Sequence, residues 1–212
     1  MTRVFRFWML LGACLFVAGC SGDGTWGWYV IDPTTPQGQS NVRFLIGGFW
    51  ATIQLSLIAA LMSMTLGLLV ALPGMSTNRW VRLPSRVYIE FVRAIPLLPM
   101  LFWVFYGLPV VMRSLGFPIT IDAFWGAIIT LAISDSAFTA EIYRSGIQSI
   151  PKGQTEAART VGLTYNQTMR YVILPQAIRR ILPPLANQFI YIVKMSAIAS
   201  VIGMQELTRR AN

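Results

Sequence analysis

From Phe44 to Asn78 the chain carries no charged residue, and the apolar part of that run, Phe44 to Leu72, is longer than a bilayer crossing requires. A helix crosses the hydrocarbon with about 20 apolar residues, so this stretch spans with some tilt to spare. Pro73, Gly74 and Asn78 end the span, and Arg79, Arg82 and Arg86 follow it. Basic residues collect on the cytoplasmic side of a membrane, which orients the end of this span inward.

Composition extends the reading to the whole chain. In 212 residues, 55% are hydrophobic and only 12% charged, far from a soluble balance. The chain reads as an all-α, polytopic bundle of membrane helices in a lipid bilayer. The formal charge of +9 does not point to nucleic acid, because the basic residues are scattered between apolar runs rather than lined up with stacking aromatics. Two cysteines and no histidine exclude a histidine-containing metal site and argue against a disulfide framework. No metal and no cofactor are expected.

Three further spans follow. The uncharged run Ala94 to Met112 is interrupted by Pro96, Pro99 and Pro109. Such breaks survive in a membrane where protein or a water-filled cavity satisfies the freed backbone groups, so this helix is expected to line a pathway. A third span, about Phe124 to Ile142, carries Asp135 near its cytoplasmic end, and a fourth, about Ile181 to Met204, carries Lys194 near its middle. With 3–6, 79–93 and 144–180 inside, twelve of the seventeen basic residues lie on the cytoplasmic side. Arg43, Arg113, Arg209 and Arg210 fall outside.

The basic segment at 144–180 has its own grammar. Pro151 and Gly153 break the chain, and Gln154 to Val161 favour a helix. Gly162 can take the left-handed conformation that closes it. Thr164 and Gln167 spell a capping box for a second helix reaching about Ile173, where Pro175 favours a stop. Ala157 and Ala158 give the first helix low relief, open to close approach by another backbone, and Glu156 offers a charge to a partner's arginine. The alternative is an ordinary surface hairpin.

The N-terminus pairs Arg3 and Arg6 with an apolar stretch, Phe7 to Ala18, and then Val17-Ala18-Gly19-Cys20-Ser21. Residues 1–20 are either a signal peptide whose Cys20 is lipidated after processing or a short first span with an incidental cysteine. Residues 21–43 then form an extracytoplasmic segment, 44–204 the membrane domain and 205–212 an extracytoplasmic end.

Several motifs occur in one order. Tyr88-Ile89-Glu90-Phe91-Val92-Arg93-Ala94-Ile95-Pro96-Leu97-Leu98 is followed by Ser136-Ala137-Phe138-Thr139-Ala140-Glu141-Ile142-Tyr143-Arg144-Ser145-Gly146-Ile147. Then come Glu156-Ala157-Ala158-Arg159-Thr160-Val161-Gly162, Leu174-Pro175-Gln176-Ala177-Ile178-Arg179, Pro183-Pro184-Leu185-Ala186-Asn187 and Lys194-Met195-Ser196. From Phe49 onward the chain resembles the permease subunits of bacterial ATP-binding cassette importers of polar amino acids. The resemblance implies an inner-membrane permease with one span beyond the four read here, so that the chain is expected to be truncated after Asn212. It implies a cytoplasmic ATPase dimer, a second permease chain, identical or related, and a periplasmic amino acid-binding protein. By the same resemblance Glu156, Ala157, Ala158 and Gly162, followed by Leu174 and Pro175, form the coupling element that sits on the ATPase. The chain has no Gly-four-residues-Gly-Lys-Ser/Thr loop, so nucleotide chemistry falls to a partner and no catalytic residue is expected.

Charged residues at membrane depth face a cavity or a partner. Asp135 either meets substrate or pairs helices and gates. Lys194 either meets a substrate carboxylate, snorkels, or pairs with Asp135 or with a second permease chain. Asn187 and Gln188 can bridge helices. Glu90 with Arg93, and Glu141 with Arg144, are spaced for same-face pairs. Two other functions stay open: a truncated or regulatory membrane subunit that binds the ATPase without transporting, and a secondary transporter or channel using Asp135 and Lys194 as ion or proton sites.

Overall fold

A computed structural model describes residues 32–207. The readings for residues 1–31, the lipidation of Cys20 among them, and for 208–212 lie outside the described residues. Two compact units divide the chain, Met1–Leu45 and Ile46–Asn212.

In the first unit a turn holds the start of a helix. The Thr34 N–H and hydroxyl donate to Asp32 Oδ1 at 2.9 and 2.7 Å, and the Gly38 N–H donates to Thr35 Oγ1 at 3.0 Å. Thr35 thereby caps helix α1, Pro36–Gly74, with Pro36 at the first helical position, where its missing N–H has no partner to lose. The helix starts at this cap rather than at Phe44, where the apolar run begins.

The second unit is a bundle of helices. After α1 come α2 (Arg79–Ala94), α3 (Leu97–Phe102) and α4 (Leu108–Ser114), the last two joined through a π turn, Trp103–Gly107. Helix α5 (Ala123–Gln148) leads to α6 (Lys152–Thr160) and α7 (Tyr165–Thr168). A second π turn, Met169–Ile173, runs into α8 (Leu174–Met195) and a 3-10 segment, Ser196–Ile202. Four stretches are long and apolar enough to cross a membrane: Pro36–Gly74, Leu97–Ser114, Ala123–Gln148 and Tyr165–Ile202.

Side-chain size decides which face of α1 points inward. Thr52, Ser56, Ala59, Ala60, Ser63 and Ala71 are buried, while Trp50, Leu57, Leu61, Leu68 and Leu72 form an exposed stripe on the other side. Small residues let membrane helices approach closely, and large apolar ones suit lipid. The main core joins Leu55, Ala59 and Ala60 of α1 to Leu101 of α3, Ile128 and Leu131 of α5, Ile192 of α8 and Ile202 of the 3-10 segment. A second cluster packs Ile150, Ile173, Ala177, Ile181 and Leu185. At Gly146 α5 and α8 come so near that an added Cβ would stand 2.2 Å from Ile181 Cγ1.

Two sequence expectations change here. Pro175 does not stop a helix: Tyr165–Ile202 forms one helical stretch. The π turn is the reason. In an α-helix Pro175 would forfeit its bond to Tyr171 and press its ring on that carbonyl. Here the Leu174 N–H reaches Met169 O, one residue further back, and the widened turn admits the ring. The same arrangement precedes Pro109, where the Leu108 N–H donates to Trp103 O. Second, α5 extends past Ile142 to Gln148, which moves Asp135 from the end of a span to its middle. The polar residues around that boundary satisfy one another: Arg144 donates to Glu141 Oε2 at 2.6 and 3.1 Å and to Gln148 Oε1 at 3.0 Å.

Candidate functional site

Three helices converge on one carboxylate. Asp135 is only 3% exposed. Its Oδ2 accepts from the Ser63 hydroxyl of α1 and, at 3.0 Å, from the Thr139 hydroxyl one turn along α5, while its Oδ1 accepts from Gln188 Nε2 of α8. Ser63 and Thr139 lie 3.2 Å apart, so the cluster closes on itself. A buried carboxylate needs partners that replace water, and here three neutral donors serve in place of a cation. At the next residue Tyr88 of α2 meets Ser136 at 2.7 Å, which ties a fourth helix to α5 beside the cluster.

The polar segment after α5 forms a helix, a glycine turn and a second helix. Gly162 has φ +85° and closes α6. The Leu163 N–H returns to Ala158 O at 3.1 Å and the Gly162 N–H to Arg159 O at 2.9 Å. The expected capping box is present: the Thr164 N–H donates to Gln167 Oε1 at 2.9 Å and the Gln167 N–H to Thr164 Oγ1 at 3.4 Å. Glu156 and Ala157 are exposed, whereas Ala158 is buried. The two alanines therefore divide the work, one turned outward and one into the fold. Gln176 Nε2 donates to Gln154 Oε1 at 3.1 Å, and Arg180 to the carbonyl of Ser149, which fastens α6 and the turn before it to α8. Leu174 and Pro175 stand at the head of α8.

A cleft of about 260 Å³ lies between the end of α1, α2 and α5, lined by Gly74, Arg86, Glu90, Arg93, Glu141 and Arg144 among others. Glu141 and Arg144 pair as expected. Glu90 and Arg93 do not, because the Arg93 guanidinium lies over the Phe138 ring, 5.0 Å from its centroid.

Residues 63–212 match the family described as binding-protein-dependent transport system inner membrane component. The chain belongs to this family. Among curated relatives of this permease, the probable glutamine ABC transporter permease GlnM of Bacillus subtilis is 41% identical, over 81% of this chain and 77% of that one. The L-cystine transport system permease TcyB of the same organism is 41% identical, over 82% and 71%. A crystal structure of an amino acid ABC transporter with histidines matches at 43% identity, a TM-score of 0.72, and 80% and 77% coverage. The inward-facing MetNI methionine ABC transporter matches at 25% identity with a TM-score of 0.63, over 78% of this chain and 77% of that one.

Within the permease the named polar residues separate. Lys194 is exposed in the last turn of α8, where its charge complements the helix dipole, and it makes no ion pair with Asp135. Asn187 is exposed, and its neighbour Gln188 is the residue that bridges helices. Ser63 is the partner that sequence reasoning passed over. Its signal was present, since Thr52, Ser56 and Ser63 mark one face of an otherwise apolar run.

Proposed function

We propose that this permease forms the translocation pathway of an ATP-driven amino acid importer in a bacterial inner membrane, docked on a cytoplasmic ATPase dimer through Glu156 to Gly162. The observation that carries the reading is the exposed, low-relief surface of α6, held by Gln154 to α8 within a chain of the binding-protein-dependent family. Amino acid transport in the names of the relatives supports the substrate class.

Mechanically, a partner that tilts α6 acts on two spans at once. Ile150 packs with Ile173, Ala177 and Ile181, and Gln154 is bonded to Gln176, so α6 has little freedom to move alone. The Asp135 cluster then carries the displacement from α5 and α8 to α1. ATP binding and hydrolysis belong to the ATPase, and this chain supplies the moving walls. A second permease chain and a periplasmic amino acid-binding protein complete the pathway, with Asp135, Asn187 and Lys194 as the polar residues available to it.

Glu156→Arg and Ala157→Arg test the docking surface, since both positions are exposed and the fold has no need of them. Uptake of labelled amino acids should fall to background while the permease still reaches the membrane, and the ATPase should no longer co-purify. Undiminished uptake in both variants would overturn the assignment.

A further inference from the structure

The cleft at the end of α1 holds an imbalance that the fold leaves unresolved. Five charged side chains line it, three arginines and two glutamates. Three of them are committed: Glu141 and Arg144 to each other, and Arg93 to the Phe138 ring. Arg86 and Glu90 remain. They stand one turn apart on α2, both exposed, and neither Arg86 nor Arg93 approaches Glu90 within the 4.0 Å of an ion pair. The order is part of the cause, because a cation preceding an anion by four residues on a helix is the weaker arrangement of the two. The result, among the described residues, is one guanidinium and one carboxylate without an ion-pair partner on the wall of a single cleft.

Such a wall suits a ligand with opposite charges of its own. An inorganic anion would gain from Arg86 and Arg93 but be repelled by Glu90, and a simple cation meets the reverse. A zwitterion satisfies both ends. At about 260 Å³ the cleft lies below the ~300–1,000 Å³ that takes drug-sized ligands, which limits the occupant to something small. We propose that this cleft is a zwitterion site, separate from the Asp135 cluster, in which Arg86 binds the anionic group and Glu90 the ammonium. The occupant is a free α-amino acid or the headgroup of phosphatidylethanolamine, which share an ammonium held near an anion. The amino acid form rests on the importer reading above. Arg86 as a fork of donors and Glu90 as a paired acceptor would give charge-assisted bonds at each end. In that form the site is walled by α5, the span that leads into α6, so occupancy would bear on the helix that precedes the docking segment.

The test uses the full-length chain in nanodiscs of phosphatidylcholine and phosphatidylglycerol, titrated with each of the common L-amino acids, alongside uptake of the same panel by cells making the whole importer. At least one amino acid that is taken up should bind. Arg86→Gln and Glu90→Gln should each weaken that binding about tenfold or more, and the N-acetyl derivative, which has no ammonium, should not bind. The double exchange Arg86→Glu with Glu90→Arg should recover part of what either single exchange loses, an outcome that mere damage to α2 would not give. In discs containing phosphatidylethanolamine, retention of that lipid through delipidation, lost in both glutamine variants, would assign the site to the headgroup. Binding unaffected by either variant, with lipid retention equally unaffected, overturns the proposal while leaving the importer reading intact. Absence of uptake for every amino acid overturns the importer reading instead, and a headgroup result would survive it.

Discussion

The hydroxyl of Ser63 on α1 donates to the carboxylate of Asp135 on α5, across 72 residues of sequence. With Gln188 of α8 bonded to the other oxygen, one side chain joins three spans. Apolar spans in lipid gain little by hiding from one another, so packing and polar contacts of this kind hold a membrane bundle together.

Replacing Asp135 with alanine removes the shared acceptor. Ser63 and Thr139 can still bond each other, but the Gln188 amide loses its partner. The variant should be less stable by about 1–3 kcal/mol, the cost of an orphaned buried donor. Asp135→Asn, which keeps one acceptor oxygen, should lose less. Thermal unfolding in detergent reads both, and an alanine variant as stable as the parent would show that the cluster does not hold the bundle.

Gly146 is the point where α5 and α8 leave no room for a side chain. Gly146→Ala forces overpacking that costs about 1–3 kcal/mol. Trimming the opposing residue should recover part of the loss, so Gly146→Ala with Ile181→Ala should fall short of the sum of the two single effects in a double-mutant cycle. Additive effects would mean the helices separate there without penalty.

Gly162 closes α6 at φ +85°, with no atom near where a Cβ would stand. The restriction is therefore on the backbone alone. Gly162→Val should disfavour the turn by about 1–2 kcal/mol, and Gly162→Asn, a residue that tolerates left-handed geometry, should be milder. Both should weaken co-purification of the ATPase in that order; equal retention would separate the turn from docking.

Ala158 and Ala157 should respond differently to bulk. Ala158 is buried, so Ala158→Leu should lower the melting temperature of the permease itself. Ala157→Leu should leave melting unchanged and reduce ATPase binding. A reversal of these phenotypes would mean that α6 presents its other face to the partner.

The spans were legible because an uncharged apolar run longer than a bilayer leaves little choice of fold, and the glycine turn because its signals are local. The boundaries were less so. Thr35 and Pro36 start α1 before the apolar run begins, and the Glu141–Arg144–Gln148 contacts carry α5 beyond it. Hydropathy registers burial in lipid, whereas caps and side-chain pairs set helix ends. Contacts between spans were hardest to read: Asp135 was visible as an anomaly, but its partners depend on which faces meet. Arg93 shows the same limit, since helix spacing offered it Glu90 and packing gave it Phe138.

The turn at Met169–Ile173 also sets the phase of everything after it. Buried positions run Ile173, Ala177, Ile181 and Leu185 at intervals of four, yet the step from Thr168 to Ile173 is five. One surplus residue is stored in that loop of helix; were the same residues wound as regular α-helix, the faces of α8 would be turned by about 100° relative to α7, following the pitch of the α-helix. The wide turn is therefore a register device. A one-residue deletion at Ala186, beyond that turn, would swing Gln188 off Asp135.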